Sequence, residues 1–203
     1  MEKRIRSVTL DDARAVSQIY APSVSEAATS FETVAPDAAE IQRRIQDKTP
    51  KFPWLVFEAD GKVLGYAYGS EHRTRQAYQW SADVSVYIHD RAQHRGVGRA
   101  LYTVLLDLLR RQGYFNAYAG ITQPNPGSVR LHESMGFTPV GVYSRVGFKF
   151  GRWHDVLWLH LRLSEEPLPP ADPSSTELLF TDPEVKALLQ KSAESVPVFT
   201  TPA

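Results

Sequence analysis

The alternation of apolar and polar residues predicts β-strands along much of the chain. Residues 80–88 alternate strictly, which places Asp83 on one face of a strand and Val84 and Val86 on the other. Other runs rich in β-branched and aromatic residues predict six further strands, at residues 4–8, 54–59, 63–70, 116–121, 140–143 and 153–162.

Apolar residues at helical spacing predict four helices between these strands. Thr9 and Asp12 resemble a capping box that opens the first helix, which should end near residue 20 because a loop begins at Pro22. The other three helices are expected to start after Asp37, after Gly98 and at Ser128.

The composition changes near residue 163 and divides the chain into two parts. Residues 1–163 contain the periodic segments and should form one domain with its own core. Residues 164–203 begin with a stretch rich in Pro, Ser and acidic residues that is typical of a linker. Within this tail, residues 183–192 fit one short amphipathic helix, and a frayed end fits them equally well.

Composition and charge narrow the class of partner. The chain has 203 residues, with 23 Lys and Arg against 23 Asp and Glu, so no net charge favours a nucleic acid or a membrane surface. It has no cysteine, which excludes disulfides, thiolate metal sites and a cysteinyl acyl intermediate. No apolar run has the length of a signal peptide or a membrane span. We expect a cytoplasmic protein that acts on a small molecule without a metal.

A glycine-containing loop joins the strand at residues 80–88 to the following helix. Gly96 and Gly98 allow the backbone to curl around a ligand, and the free N–H groups of a helix start can hold a pyrophosphate. A plain helix cap without a ligand explains the same short pattern. The chain lacks the Gly-Lys-Ser/Thr of a P-loop and the glycine spacing of a dinucleotide fold.

The pattern Gln93-x-x-Gly96-x-Gly98 after a strand, followed by Asn125 and Gly136-Phe137, resembles the GNAT superfamily of N-acetyltransferases. That resemblance implies an α/β fold (α+β) with a mixed, mostly antiparallel sheet of about seven strands, splayed at the fourth and fifth and flanked by about four helices. It also implies acetyl-CoA as co-substrate. The residues expected to contact it are Val86, Tyr87, Ile88, His94, Arg95, Gly96, Val97, Gly98, Arg99, Asn125 and Ser128.

A narrower resemblance covers about residues 5–163. The elements Leu131-His132-Glu133 and Trp153-His154-Asp155-Val156 are similar to the phosphinothricin and methionine sulfoximine acetyltransferases. Those enzymes acetylate the α-amine of small glutamate-like amino acids and are usually homodimers. The resemblance therefore implies a small amine acceptor and a homodimer.

The chemistry of acetyl transfer needs a proton acceptor and a proton donor. A protonated amine must lose a proton before it attacks a thioester, and the leaving thiolate must gain one. Asp83 stands where the resembling enzymes have a glutamate, so the shorter side chain acts directly or through a water. His132 is the favoured proton donor, and Tyr102 is the second candidate. Each of the three residues also has a structural explanation. Asp83 could be a buried carboxylate paired with an arginine, His132 a helix-surface residue and Tyr102 a core residue.

Four further residues are expected near the acceptor. Arg73 and Arg75 correspond to a basic pair in the resembling enzymes and suit recognition of a carboxylate, although exposed loop charges explain them as well. Phe31 and Glu32 are expected to line the same pocket.

Two other functions fit the sequence. A GNAT enzyme of this kind could act on a polyamine, an antibiotic or a protein N-terminus, because the loops that select the acceptor carry no readable signal. A non-catalytic acyl-CoA-binding module is the alternative that the shortened acid Asp83 suggests.

Overall fold

The computed structural model describes residues 2–165 and 169–198, and its frame is a seven-stranded sheet. The strands are β1 (Lys3–Ser7), β2 (Trp54–Ala59), β3 (Lys62–Glu71), β4 (Ser81–Ile88), β5 (Asn116–Thr122), β6 (Thr138–Lys149) and β7 (Arg152–Arg162). The helices are α1 (Ala13–Ser25), α2 (Ala38–Lys48), α3 (Val97–Gln112), α4 (Pro126–Ser134) and α5 (Pro183–Glu194).

The strand order is β1-β2-β3-β4-β5-β7-β6, and every neighbouring pair is antiparallel except β4 with β5. A parallel pair needs a crossover connection, and here α3 provides it. The expected mixed, mostly antiparallel sheet of seven strands is confirmed. Asp60 and Gly61 both have positive φ, as a tight hairpin between β2 and β3 requires.

The sheet is covered on both faces, and β2 shows why. All six of its residues are buried, with Trp54 and Val56 in the core against α1 and α2, and Leu55 and Phe57 in the core against α3. Alternating side chains therefore serve two different cores. The face that carries α1 and α2 is rich in tyrosine, and the opposite face is mainly aliphatic.

The described part of the C-terminal segment adds to the aliphatic core. Helix α5 packs against β1 and α3, and Val185 is fully buried while Ala193 and Val196 are nearly so. The division of the chain at residue 163 stays a prediction. Residues 166–168 of the expected linker and residues 199–203 lie outside the described residues.

Two elements differ from their predicted bounds by more than two residues. Helix α1 does not end before Pro22 but continues to Ser25, because the Pro22 carbonyl still accepts hydrogen bonds and buried Val24 anchors the last turn. Strand β6 is much longer than residues 140–143. It is an edge strand with nearly all residues exposed, so no alternation of burial marks its length in the sequence.

Within the described ranges, no helix combines the length and the apolar character needed to cross a membrane.

Replacing Val185 tests whether α5 belongs to the same cooperative unit as the sheet. Val185→Ala should lower the free energy of unfolding by about 2 kcal/mol, because it removes fully buried methyl groups. The exposed neighbour Lys186 provides the control, and Lys186→Ala should change stability by less than about 0.5 kcal/mol. Urea unfolding followed by tryptophan fluorescence measures both. Equal stabilities for the two variants would contradict a shared core.

Candidate active site

The strands β4 and β5 pair over three residues and then separate. Their pairs are Ser81 with Asn116, Ala82 with Ala117 and Asp83 with Tyr118. Beyond the last pair a cavity of about 80 Å³ lies between the strands, lined by residues 84–87 of β4 and residues 119–122 of β5. This cavity is called the gap below. It brings together six residues expected at the site: Val86, Tyr87, Tyr102, Asn125, Ser128 and His132.

One edge of β4 is open along the gap. The strand pairs with β3 as far as Ile88 opposite Gly65, whereas its pairing with β5 stops at Asp83. Backbone N–H and C=O groups need hydrogen-bond partners, so an unpaired stretch of strand offers them to a ligand. In the part of the chain that the structure describes, residues 84–88 of β4 form such an edge.

Asp83 lies at the closed end of the gap and has a histidine partner. Its Oδ1 is 2.6 Å from Nδ1 of His72, which follows β3. Burial raises the pKa of the Asp83 carboxyl, and the His72 hydrogen bond opposes part of that rise. The His72 ring stacks on Tyr118 at 4.3 Å between centroids, so both members of the last β4–β5 pair contact it.

Tyr102 and His132 form a buried pair beside the gap. The Tyr102 hydroxyl is 3.0 Å from His132 Nε2, and His132 Nδ1 is 2.8 Å from the Ser128 carbonyl oxygen. A carbonyl only accepts, so Nδ1 carries a proton, and in the neutral ring Nε2 accepts from Tyr102. Burial lowers the pKa of His132 and raises that of Tyr102, which keeps both side chains uncharged.

The α4 N-terminus places Asn125 and Ser128 on the gap. The Asn125 side-chain oxygen accepts a hydrogen bond from the Ser128 N–H at 3.1 Å, which caps the helix two residues earlier than the sequence predicts.

The glycine loop forms the start of α3. Gly96 has φ of 83° and is the residue before the helix, and His94 also has positive φ. Only glycine adopts the Gly96 conformation without strain. The first N–H groups of α3, from Val97 to Arg99, have no carbonyl partner inside the helix and point along its dipole. Arg95 and Arg99 are exposed beside them.

The four expected acceptor residues lie in different places. Arg73 donates to the His72 carbonyl oxygen at 2.6 Å, and its guanidinium lies 5.5 Å from the centre of the Trp158 ring, so it is close to Asp83 through His72. Arg75 is exposed at the start of the turn Gln76–Tyr78. The Phe31 ring covers the backbone of Gly147, where any side chain would collide.

Glu32 is engaged elsewhere. Its carboxylate forms an ion pair with Arg44 at 2.8 Å and accepts a hydrogen bond from Tyr20 at 2.9 Å, and the Arg44 bond holds the pKa of Glu32 below its usual value. It lines a second cavity, of about 370 Å³, between α2 and the tyrosine-rich face of the sheet. Glu32 does not line the gap.

Three residues near Asp83 were absent from the sequence-based site: His72, Tyr118 and Trp158. Little in the sequence pattern points to them. His72 follows the end of a strand and belongs to no periodic segment, and Tyr and Trp are residue types that are ordinary in strands. The Trp158 indole N–H is buried and has no hydrogen-bond partner within the described ranges. Across those ranges, no cluster of three or more His, Cys, Asp or Glu residues could hold a metal ion.

The protonation of His132 can be tested by NMR. Its titration midpoint should lie below the ordinary histidine value of about 6.5, with the neutral ring protonated on Nδ1. Because the unfolded state then binds the proton more readily, the stability that neutral His132 contributes is complete above pH 6.5 and is lost as the pH falls below it. The difference in unfolding free energy between the parent and His132→Gln should shrink accordingly. A midpoint at or above 6.5 would contradict this environment.

Known proteins resemble this chain over most of its length. Residues 5–158 match the family described as acetyltransferase (GNAT) domain. The phosphinothricin N-acetyltransferase of Streptomyces viridochromogenes is 38% identical over 167 residues, which is 82% of this chain and 90% of that protein. The L-methionine sulfoximine/L-methionine sulfone acetyltransferase of Salmonella typhimurium is 41% identical over 120 residues, which is 59% of this chain and 70% of that protein.

A solved structure gives the same answer for the fold. The GNAT superfamily phosphinothricin acetyltransferase from Sinorhizobium meliloti, crystallised in complex with acetyl-CoA, superimposes with a TM-score of 0.79 at 31% identity. The superposition covers 86% of this chain and 94% of that one. The family match over residues 5–158 and the fold together show that this chain belongs to the GNAT family of acetyltransferases.

Proposed function

We propose that this protein transfers the acetyl group of acetyl-CoA to the amine of a small amino-acid-like acceptor, by direct attack while both substrates are bound. The observation that carries the proposal is the gap, which has the His72–Asp83 pair at its closed end and the Tyr102–His132 pair along its side. Acyl transfer to an amine requires a proton acceptor and a proton donor, and here one pair lies where β4 and β5 separate and the other lines the gap beyond that point.

The gap and the glycine loop fit coenzyme A. The open edge of β4, residues 84–88, suits the amide groups of the pantetheine arm, and Asn125 and Ser128 add side-chain contacts on the other wall. The α3 start, with Gly96 at positive φ and Arg95 and Arg99 exposed beside it, suits the pyrophosphate. When bound there, the coenzyme would supply the acetyl thioester.

Two groups of this chain handle the charge that develops. A backbone N–H of Val86 or Tyr87 would stabilise the carbonyl oxygen as it becomes negative. The sulfur would receive its proton from the Tyr102–His132 pair. Neutral His132 already donates its Nδ1 proton to the Ser128 carbonyl oxygen, so the transferable proton in this pair is that of the Tyr102 hydroxyl.

The acceptor would lie beside Asp83, with its carboxylate on Arg73. A guanidinium forms two parallel hydrogen bonds to a carboxylate, and the buried indole N–H of Trp158 lies beside Arg73. Arg75 and Phe31 would complete the entrance. The relatives named for phosphinothricin and methionine sulfoximine support an acceptor with an α-amine and a carboxylate.

Thiol release from acetyl-CoA tests the function. We expect release that depends on phosphinothricin, methionine sulfoximine or methionine sulfone and clearly exceeds a control without acceptor. A thiol reagent is well suited, because the chain contributes no cysteine background. A polyamine, an aminoglycoside and a peptide with a free N-terminus complete the panel.

The other outcomes each contradict part of the proposal. Thiol release with one of the other amines alone would contradict the amino-acid-like acceptor and assign that amine's class instead. Coenzyme binding by calorimetry without release for any amine would instead make this chain a non-catalytic acyl-CoA-binding module.

The protein is further proposed to act as a homodimer in the cytoplasm. Edge strand β6, the turn and the start of β7 expose an apolar surface, and each of these residues is at least half accessible: Val140, Val142, Tyr143, Val146, Phe148, Phe150 and Trp153. An exposed apolar surface of this kind is typical of an interface.

Sedimentation tests the dimer. The particle mass should be twice the 22.8 kDa of the chain, and Val142→Lys should shift the protein toward monomer by placing a charge in the apolar surface. The control is Arg130→Gln, which changes an exposed charge on α4 and leaves β6 and β7 unaltered. A monomeric parent protein would contradict the proposal.

A further inference from the structure

We infer that His72, held by Asp83, is the group that removes the proton from the acceptor amine. The inference rests on the proposed function and assigns a catalytic residue that was not among those expected from the sequence. It replaces Asp83 alone as the base by a histidine–aspartate pair in which the two side chains have different roles.

The hydrogen bond fixes which nitrogen is available. His72 Nδ1 lies 2.6 Å from Asp83 Oδ1, and imidazole is the more basic group of such a pair, so the shared proton belongs on Nδ1. The other nitrogen, Nε2, then carries a lone pair. Within the described ranges it makes no hydrogen bond, so it can accept a proton from a substrate.

Aromatic rings hold the imidazole in place. The His72 and Tyr118 rings stack with an angle of 15° between their planes. Tyr78 and Trp158 meet the His72 ring edge-on, with centroid distances of 6.1 and 6.0 Å. The side chain is 12% exposed, less than the 26% of Asp83. A ring fixed on three sides and bonded to a carboxylate is oriented before the substrate arrives.

The position is at the reacting end of the gap. Tyr118 and Asp83 are the last pair before β4 and β5 separate, and His72 contacts both. The imidazole would place the basic atom one ring beyond the short aspartate. This answers the difficulty that Asp83 is one methylene shorter than the glutamate of the resembling enzymes.

Imidazole also suits this proton better than a carboxylate does. The ordinary pKa of an imidazole is about two to three units closer to that of an α-amine than the pKa of a carboxyl group is. A base that is nearer in pKa to the amine removes its proton at lower cost, and the Asp83 carboxylate stabilises the imidazolium that forms.

The neighbouring arginine completes the geometry for an α-amino acid. Arg73 follows His72 directly and donates to its carbonyl oxygen at 2.6 Å. In an α-amino acid, one carbon separates the carboxylate from the amine. A carboxylate bound by Arg73 would therefore bring the amine to the adjacent His72 ring.

The protons and bonds balance as follows. His72 Nε2 takes one proton from the ammonium group, and the freed amine forms a bond to the acetyl carbon. The carbon–sulfur bond breaks, and Tyr102 protonates the sulfur. The second proton that the nitrogen loses, as it becomes an amide, restores Tyr102, and His72 returns its proton to solvent.

Substitution of His72 by Asn separates a base from a positioning residue. The Asn side-chain amide can still donate to Asp83 but offers no basic nitrogen. We expect kcat/KM to fall by about 10² or more in His72→Asn, while the Kd for coenzyme A, from calorimetry, changes by less than about threefold. His160→Asn is the matched control, because the His160 ring also contacts Tyr118 but bonds Asn116 and not Asp83. It should retain most of the parent turnover.

A second measurement distinguishes the loss of a base from the loss of the packing that the His72 ring provides. In His72→Ala, added imidazoles should restore turnover, and the restored rate should increase with the pKa of the imidazole, as expected for a base and not for a space filler. The groups that contact the ring in this comparison are Asp83, Tyr78, Tyr118 and Trp158, and the Arg73 guanidinium lies over Trp158. Near-parent turnover of His72→Asn, or restoration independent of imidazole pKa, would overturn the inference alone. A parent protein that shows no acceptor-dependent thiol release would overturn the proposed function, and this inference with it.

Discussion

The separation of β4 and β5 after three residue pairs is the constraint on which the site depends. These are the only parallel neighbours among the described strands, so α3 must cross between them and begin near the end of β4. One topological feature thus opens the gap, exposes the β4 edge and places the Gly96 turn at the same end of the sheet.

Burial acts in opposite directions on the ionisable groups at the gap. It raises the pKa of Asp83 and of Tyr102 and lowers that of His132, and in each case the charged form is disfavoured. The hydrogen bonds then decide where the protons lie: His72 Nδ1 donates to Asp83, and the Tyr102 hydroxyl donates to His132. The Tyr102–His132 pair is therefore neutral before the reaction, whereas the His72–Asp83 pair holds the one carboxylate that stabilises a proton taken up by the imidazole.

Strands and helices with a periodic pattern of apolar residues were predicted from the sequence, whereas features that depend on contacts between distant segments were not. Alternation placed Asp83 correctly on β4, and the glycine spacing located the α3 start to within two residues. The His72 partner of Asp83 could not be predicted, because it follows β3 and meets Asp83 only through the β3–β4 pairing. Burial of Val24 and Val185 likewise decides how far α1 extends and where α5 packs, and neither is visible in local periodicity.

A crystal structure of the protein with acetyl-CoA and methionine sulfone tests the central claim most directly. We expect pantetheine between β4 and β5, hydrogen-bonded to residues 84–88, with the acceptor amine within hydrogen-bond distance of His72 Nε2 and the sulfur next to Tyr102. Pantetheine bound outside the gap, or an acceptor amine remote from both His72 and Asp83, would contradict it.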